Sequence, residues 1–418
     1  MSVDHRRGTA EVTVLDSAGN PVRDAEVTVE QQRHDFAFGN IGFDFVPLAN
    51  EEPVQDAAAE PAFGRAGPAG LRELETMWLE LFNTATLPFY WRGFEPTRGT
   101  PDTRRLLRTA SWFTERAVTV KGHPLTWHTL APEWLTDLPV AEIERLQRER
   151  IRREVTDFAG VIDIWDAINE AVIMPVFTAE DNGITRLAQS IGRVPMIQLA
   201  FEEARASNPS AMLILNDFDL SSDYETLIEG VLEAGITVDA IGLQTHMHQG
   251  YWGEETMLAT VDRFARFGLP LHLTETTLLS GDLMPPEIVD LNDYQVPSWP
   301  STPEGEARQA DEIVRHYRSL VGHPAVQAIT YWGLTDDGAW LGAPGGLVRT
   351  DGTPKPSFDA LRSLIKGEWW LPRTTMRTDH DGRLSISGFF GDYVIERDEQ
   401  SAPVSLSPGH ETATVRFR

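Results

Sequence analysis

Short apolar segments alternate with stretches of helical periodicity over residues 34–368, and this alternation constrains the fold more than any other feature. Eight segments have the length and composition of buried strands, namely residues 34–40, 82–90, 118–128, 161–170, 211–219, 240–248, 269–277 and 326–334. The clearest helical periodicity lies at residues 141–158, 196–207 and 304–320. Strands that alternate with helices are typical of parallel sheets, and eight such units predict an α/β fold closed into a (β/α)8 TIM barrel.

The two ends of the chain have a different pattern. Residues 10–15 and 25–30 alternate apolar and polar side chains on either side of the turn residues 16–21, which predicts a β-hairpin. Further strands are predicted at residues 383–387, 392–396, 404–406 and 412–417. Neither end alone supplies enough strands for a stable sandwich.

We therefore predict three parts of the chain. Residues 1–33 and 371–418 combine into one small accessory β-sandwich, beside a catalytic barrel of residues 34–370. We expect this sandwich to be a structural support for the barrel rather than a sugar-binding module. Within the barrel sequence, the polar residues 49–70 are predicted to form a loop.

Composition excludes several classes of protein. The 418 residues have a formal net charge of −27 and no cysteine. The charge disfavours nucleic acid and anionic membranes as partners, and the absence of cysteine excludes disulfides and thiolate chemistry. No apolar run reaches the roughly 18 residues of a membrane span, and residues 1–7 lack a signal-like apolar core. We expect a cytoplasmic protein as given, or a secreted one if a signal was removed. The composition specifies no oligomeric state.

Polar and aromatic side chains gather at the C-terminal ends of the predicted strands. Burying such groups costs free energy unless they line a site, and TIM barrels place their active sites at this mouth. The segments are residues 122–128 (Gly-His-Pro-Leu-Thr-Trp-His), 165–170 (Trp-Asp-Ala-Ile-Asn-Glu), 216–217 (Asn-Asp), 244–246 (Gln-Thr-His), 274–275 (Thr-Glu) and 331–333 (Tyr-Trp-Gly). The pattern predicts an active site built by several strand ends.

Two carboxylic acids at these ends, Glu170 and Glu275, suggest glycoside hydrolysis, which needs a carboxyl group on each side of the scissile bond. Asn169 could bind the sugar hydroxyl next to the anomeric carbon, and His246 could hold Glu275 ionised. Flat apolar rings that match sugar rings are expected from Trp127, Trp332 and Trp340.

These residues have other interpretations. The two carboxylates could form a buried structural ion pair, and His123 and His128 could be core histidines. A metal at His246 and Glu275 would need a third ligand with suitable spacing, which the sequence does not offer. We therefore expect no metal.

The segments, in this order, resemble glycoside hydrolase family 10, the family of endo-1,4-β-xylanases. Further matching residues are 241–246 (Ile-Gly-Leu-Gln-Thr-His), 332–336 (Trp-Gly-Leu-Thr-Asp) and 354–356 (Pro-Lys-Pro), and the match covers roughly residues 80–365. The resemblance implies a retaining enzyme without a cofactor, with Glu170 as acid/base and Glu275 as nucleophile. It also implies that the subsite of the cleaved sugar is lined by His123, Asn169, Gln244, His246 and Trp332.

The chain departs from the family pattern at the end of the second strand. The family's Glu, Asn and Lys, which grip xylose hydroxyls, correspond to Thr86, Leu87 and Tyr90. A usual Gln corresponds to Leu130, and a usual Asp two residues after the nucleophile corresponds to Thr277. A site built to bind hydroxyls loses selectivity when those partners are lost. We therefore expect Leu87, Tyr90 and Leu130 to face a rebuilt substrate subsite.

These observations predict a retaining, endo-1,4-β-xylanase-like β-glycosidase whose partner is a carbohydrate or glycoside. The alternative is an exo-acting or aryl-type β-glycosidase on a non-xylan glycoside, or a transglycosylase with the same residues. A catalytically silent carbohydrate-binding protein is a further alternative, against which the pair of Glu residues argues.

Overall fold

The computed structural model describes residues 2–52 and 71–417. Its strands are β1 (Arg7–Leu15), β2 (Glu26–His34), β3 (Ala37–Ile41), β4 (Thr84–Pro88), β5 (Thr119–His123), β6 (Ile164–Asn169), β7 (Met212–Asp217), β8 (Ala240–Met247), β9 (Leu271–Leu278), β10 (Val326–Tyr331), β11 (Thr374–Arg377), β12 (Arg383–Phe389), β13 (Gly391–Arg397), β14 (Gln400–Leu406) and β15 (Thr412–Arg416). Its α-helices are α1 (Val46–Ala49), α2 (Leu71–Leu81), α3 (Trp91–Phe94), α4 (Thr103–Thr114), α5 (Val140–Asp157), α6 (Gly183–Ile191), α7 (Arg193–Ser207), α8 (Ser222–Glu233), α9 (Glu254–Ala265), α10 (Pro303–Val321) and α11 (Pro356–Arg362).

Strands β3 to β10 close into one parallel barrel in chain order, with β10 beside β3. The predicted TIM barrel is therefore confirmed, and each of its eight predicted strands is found. Several are shorter than predicted: the third covers Thr119–His123 instead of 118–128, because Pro124 has no N–H to continue the ladder. The strand ends that carry polar residues meet at one mouth.

The barrel wall is packed closely where it positions the site. Trp165 of β6 is fully buried and lies against Gly122 of β5, where an added Cβ would come within 2.1 Å of the indole. Such an approach tolerates only glycine at this position. The close contact fixes the end of β5, and with it His123, the next residue.

Two sheets from the chain ends form the accessory β-sandwich. One sheet has the order β12-β1-β15 and the other β11-β2-β13-β14. Apolar side chains of both sheets share one core, among them Val12, Val29, Ile386 and Ile395. The sandwich is as predicted, and β11 is an additional strand.

The predicted hairpin between the first two strands is wrong. Strand β1 pairs with β12 and β15, whereas β2 pairs with β11 and β13. After the turn at Asp16–Asn20 the chain makes only an isolated bridge from Pro21 to Leu15 and then crosses to the opposite sheet. Placing the strands in facing sheets lets the apolar residues of both point into the shared core.

Hydrogen bonds dock the sandwich on the barrel. Arg6 donates from Nε to the carbonyl oxygen of Val321 at 3.0 Å and from a terminal nitrogen to that of His323 at 3.0 Å. The ring Nε2 of His34 lies 3.1 Å from the carbonyl oxygen of Ile365. These contacts join the sandwich to the end of the barrel chain.

Most of the predicted loop at 49–70 lies outside the described residues, from residue 53 onward. In the part of the chain that the structure describes, no helix has the length and apolarity needed to cross a membrane.

Candidate active site

Glu170 lies immediately after β6 with a positive φ of 57°. Residues other than glycine rarely adopt this left-handed conformation, and such local strain concentrates at functional sites. Its backbone N–H donates to the carbonyl oxygen of Asn216 at 2.8 Å. The indole of Trp127 donates to Oε2 at 2.7 Å, and Gln244 donates to Oε1 at 3.3 Å. The carboxyl group is therefore held on both oxygens.

Glu275 lies within β9 and is only 5% exposed. Asn216 donates to its Oε1 at 3.0 Å, and His246 donates from Nε2 to its Oε2 at 3.1 Å. The Nε2 of His123 lies 3.8 Å from Oε1. This carboxyl group thus faces donors on each oxygen.

Side-chain amides connect the two carboxyl groups. Asn216 donates both to Glu275 and to Oδ1 of Asn169, the latter at 2.7 Å. Gln244 donates to the same Oδ1 at 3.0 Å and also to Glu170. The structure therefore brings four predicted site residues, Asn169, Glu170, Gln244 and Glu275, into one hydrogen-bond network, with Asn216 as the link.

The two carboxyl groups have pKa values displaced in opposite directions. Burial, with the negative charges of Glu275 and Asp217 nearby, raises the pKa of Glu170 to about 8. Burial also acts to raise the pKa of Glu275, but His123, the hydrogen bond from His246 and the charge of Lys121 outweigh it, so that this pKa is lowered. At neutral pH one group is protonated and the other is ionised.

A buried ion-paired group supports His123 from behind. Asp166 is fully buried, and its Oδ2 lies 2.7 Å from Nδ1 of His123 and 2.7 Å from Nζ of Lys121. Burial opposes ionisation of this carboxyl, but the charge of Lys121 and the bond to His123 lower its pKa. Because Asp166 accepts at Nδ1, the Nε2 side of His123 is directed toward Glu275.

Aromatic rings form one wall of the mouth. Tyr90 packs its ring 5.5 Å from Trp127, 5.7 Å from His123 and 6.0 Å from Phe43. Phe43 in turn packs 5.9 Å from Trp332, and both belong to a small apolar cluster with Tyr90 at its edge. Tyr90 therefore lies beside the residues that contact both carboxyl groups.

Trp340 stands on a second side of the mouth. Its ring lies 5.0 Å from that of His246 and 5.1 Å from that of His248. His248 is buried, and burial lowers its pKa to about 3. The predicted residues Trp127, His246, Trp332 and Trp340 thus surround the two carboxyl groups.

Two predicted substrate contacts have other surroundings. Leu87 is fully buried, and its side chain packs beside Gly42 and Phe113 of α4, so the expectation that it faces substrate is wrong. Side chains on a strand alternate between faces, and Leu87 points to the helix layer. Leu130 is half-buried with φ 55°, and its carbonyl oxygen accepts from Arg92 at 2.7 Å.

His128 is buried with its Nε2 at 3.9 Å from Oε2 of Glu170 and its ring 4.3 Å from that of Phe177. Burial lowers its pKa to about 3, so the imidazole is neutral. It packs behind the acid rather than opening into the mouth.

Three further residues at the site have no role in the predictions from sequence. Asn216 bridges the carboxyl groups, and Phe43 forms part of the aromatic wall. Asp217 is buried and accepts from the backbone N–H of Val172 at 3.0 Å, two residues beyond Glu170. The Asn-Asp pair at the end of β7 was the signal for two of them, and the aromatic residue after β3 was the signal for the third.

Within the described ranges, one cluster has three side chains spaced to hold a metal ion, Asp379, His380 and Asp381. These residues are exposed and lie in the sandwich sequence, so the cluster is not part of the barrel mouth.

Displacement at a sugar carbon with acid assistance requires one protonated and one ionised carboxyl group at the same mouth. On this barrel, that arrangement defines a glycoside hydrolase. The chain belongs to glycosyl hydrolase family 10, whose model matches residues 84–364. The sequence resemblance is thereby confirmed, and with it the class of retaining glycoside hydrolases.

The chain is also similar to individual known proteins. Endo-1,4-beta-xylanase B of Thermotoga neapolitana is 29% identical over 59% of this chain and 69% of its own length. The anti-sigma-I factor RsgI6 of Acetivibrio thermocellus is 23% identical over 99% of this chain and 48% of its own. The crystal structure of xylanase 10B from Thermotoga petrophila, in complex with xylobiose, has a TM-score of 0.62 at 22% identity, covering 80% of this chain and 95% of that one. That likeness supports the barrel fold.

Proposed function

We propose that this protein hydrolyses a β-glycosidic bond by double displacement, with Glu275 as nucleophile and Glu170 as acid/base. The observation that carries the proposal is the opposite displacement of the two pKa values within one hydrogen-bond network. A retaining enzyme needs one carboxyl group that holds a proton and one that does not, about 5–5.5 Å apart.

In the first step, Glu275 attacks the anomeric carbon while the bond to the leaving oxygen breaks. Glu170 transfers its proton to that oxygen, and the leaving group departs as an alcohol. In the second step, Glu170 takes a proton from water, the water oxygen attacks the anomeric carbon, and Glu275 is released as carboxylate. Two inversions return the sugar with its original configuration.

The network supports specific roles for its other members. Asn169 donates to Oε1 of Glu170 at 3.3 Å, and both groups of its amide lie at the mouth. An amide in this position can bind the hydroxyl next to the anomeric carbon, a contact that strengthens as positive charge develops on the ring. His123, Gln244 and His246 hold the carboxyl groups, and Trp127, Trp332 and Trp340 offer flat faces to the sugar.

For the substrate we propose a β-1,4-linked xylose polymer, cleaved within the chain. Support comes from the relatives, several of which are endo-1,4-β-xylanases, and from a structural neighbour that holds xylobiose.

A second candidate is an exo-acting or aryl-type β-glycosidase on another glycoside. The observation that favours it is the apolar cluster of Ile41, Phe43 and Trp332 with Tyr90 packed against it. Sugar hydroxyls need hydrogen-bond partners, and an apolar wall beside the cleaved sugar offers few. Such a wall favours a short glycone over a long chain of sugars.

Soluble xylan and a panel of nitrophenyl β-glycosides, assayed with one preparation, separate the candidates. Xylan cleavage with no action on the small glycosides rejects the second candidate, and the reverse result rejects the first. Glu275→Ala should abolish hydrolysis in either case, and unchanged hydrolysis in that variant would contradict the mechanism. Sugar binding without hydrolysis by the wild-type chain would instead indicate a binding protein, and products longer than the substrate would indicate transglycosylation.

We also propose that residues 1–33 and 371–418 form one unit that supports the barrel of residues 34–370. The contacts of Arg6 with Val321 and His323 of the barrel chain support this role. The large apolar side chains that are exposed in the described residues all lie between Val176 and Val296, in the barrel sequence. The described part of the sandwich therefore exposes no large apolar side chain on which a sugar ring could pack.

A further inference from the structure

A hydroxyl group stands behind the histidine that contacts Glu275. In the parallel pair β8 and β9, His246 lies opposite Thr277, while Glu275 is two residues earlier on the same face as Thr277. Oγ1 of Thr277 is 2.9 Å from Nδ1 of His246, and Nε2 of the same ring is 3.1 Å from Oε2 of Glu275. One imidazole thus connects a hydroxyl to the carboxylate.

Donor and acceptor requirements fix the orientation of this ring. An ionised carboxylate can only accept, so Nε2 of His246 must carry the proton that it donates to Glu275. A hydroxyl can donate to Nδ1 of the neutral ring or accept from Nδ1 of the charged ring. Thr277 is therefore a hydrogen-bond partner for Nδ1 in both protonation states of His246. Because the hydroxyl is neutral, it places no second negative charge near Glu275.

We infer that Thr277 is a positioning residue for the nucleophile: its hydroxyl fixes His246 with Nε2–H on Glu275. The inference rests on the proposed function. Without the hydroxyl, the ring is free to turn, and Glu275 loses a donor that favours its ionised form. Both the rate of the first step and the ionisation of Glu275 would then depend on Thr277.

The other groups around this connection are accounted for. His248 faces His246 on β8, with ring centroids 5.9 Å apart, and Trp332 and Trp340 flank the same ring. Around Glu275 lie His123, Lys121 and Glu170. Within the described residues, none of these side chains forms a hydrogen bond with Nδ1 of His246, whose partner is Thr277.

Thr277→Val tests the inference, since it removes the hydroxyl and keeps the shape. We expect kcat/KM on the best nitrophenyl β-glycoside to fall about 10-fold to 100-fold. This is the effect of losing a hydrogen bond to a charged group, here the bond from His246 to Glu275. The acidic limb of the kcat/KM profile should move to higher pH, because Glu275 would be harder to ionise. Thr277→Ser keeps a hydroxyl and should restore both quantities to near the wild-type values.

Thr276→Val is the matched control. Thr276 is the adjacent residue of β9 and is also buried. Its hydroxyl bonds to that of Thr245 on β8 at 2.8 Å, away from the imidazole. We expect it to leave the acidic limb in place. If Thr277→Val does not fold, Thr277→Ala replaces it, because a smaller side chain cannot overpack the wall.

Three results would overturn the inference: a wild-type profile in Thr277→Val, an equal loss in Thr277→Ser, or an equal shift in Thr276→Val. Each would appear in an active enzyme that still depends on Glu275, so it leaves the proposed function intact. A wild-type chain without hydrolysis, or an active Glu275→Gln variant, would instead contradict the proposed function itself.

Discussion

The indole N–H of Trp127 donates to Oε2 of Glu170 across 2.7 Å, and the same ring packs against Tyr90. One side chain therefore joins the proposed acid to the aromatic wall of the mouth. The hydrogen bond favours the ionised form of Glu170 and so opposes the effect of burial on its pKa, which nevertheless stands at about 8. The balance between these two effects sets the upper pH limit of the proposed acid.

The pH dependence of the wild-type enzyme should be bell-shaped. Activity requires Glu170 protonated and Glu275 ionised, so kcat/KM should fall as pH rises through about 8 and fall again below the lowered pKa of Glu275. Initial rates on a nitrophenyl β-glycoside across this range measure both limbs. A flat alkaline limb up to pH values well above 8 would contradict the assignment of Glu170.

Removing the hydrogen bond from Trp127 should move the alkaline limb. Trp127→Phe keeps a ring but has no N–H, and the pKa of Glu170 should rise because its ionised form loses a donor. We expect the alkaline limb to shift to higher pH while the acidic limb stays in place. A shift to lower pH would show that the indole does not stabilise the carboxylate.

Tyr90 should control the preference between short and long substrates. Tyr90→Ala removes a ring from the wall beside His123 and Trp127, and we expect the ratio of activity on xylan to activity on aryl glycosides to rise about tenfold, equivalent to about 1.4 kcal/mol. Tyr90→Phe retains the ring and should leave the ratio near that of the wild type. An unchanged ratio in both variants would exclude Tyr90 as a determinant of substrate length.

Lys355 should stabilise the loops that follow β9 and β10. Its buried Nζ lies 2.6 Å from Oδ1 of Asp336 and 2.8 Å from Oγ of Ser280, and Asp336 also accepts from the backbone N–H of Gly346. Lys355→Met leaves a carboxylate without its cation, which should lower the free energy of unfolding by about 3–5 kcal/mol. Denaturant titration measures this.

The control for Lys355 is a surface ion pair. Arg145 lies on the exposed face of α5 and pairs with Glu142, and Arg145→Met should change the stability little, since exposed pairs contribute little. A loss as large as that of Lys355→Met would show that charge, rather than burial, determines the effect.

The sequence predicted the elements whose signals are local. Eight apolar segments predict the barrel, and polar residues near the C-terminal ends of the predicted strands 161–170 and 269–277 indicate Glu170 and Glu275. Both predictions succeed because the parallel strands of a barrel bring their C-terminal ends together, whatever the intervening helices are. The family motifs then predict which residues lie between the two carboxyl groups.

Features that depend on the partner across the fold could not be predicted in this way. The turn at Asp16–Asn20 looks like a hairpin, yet β1 and β2 face each other across a core. Leu87 lies on a strand whose side chains alternate, and the family alignment alone does not give the face to which it points. Thr277 gains its significance only from the ring nitrogen of His246, which comes from a neighbouring strand.

Trapping the covalent intermediate tests the central claim most directly. A dinitrophenyl β-xyloside, fluorinated at the carbon next to the anomeric carbon, reacts in the first step and is slow in the second, so the sugar stays on the nucleophile. Peptide mass analysis after incubation should find one fluorosugar on Glu275, and none in Glu275→Gln. A label on any other carboxyl group of an active enzyme, or release of product with inverted configuration, would contradict the mechanism proposed for this site.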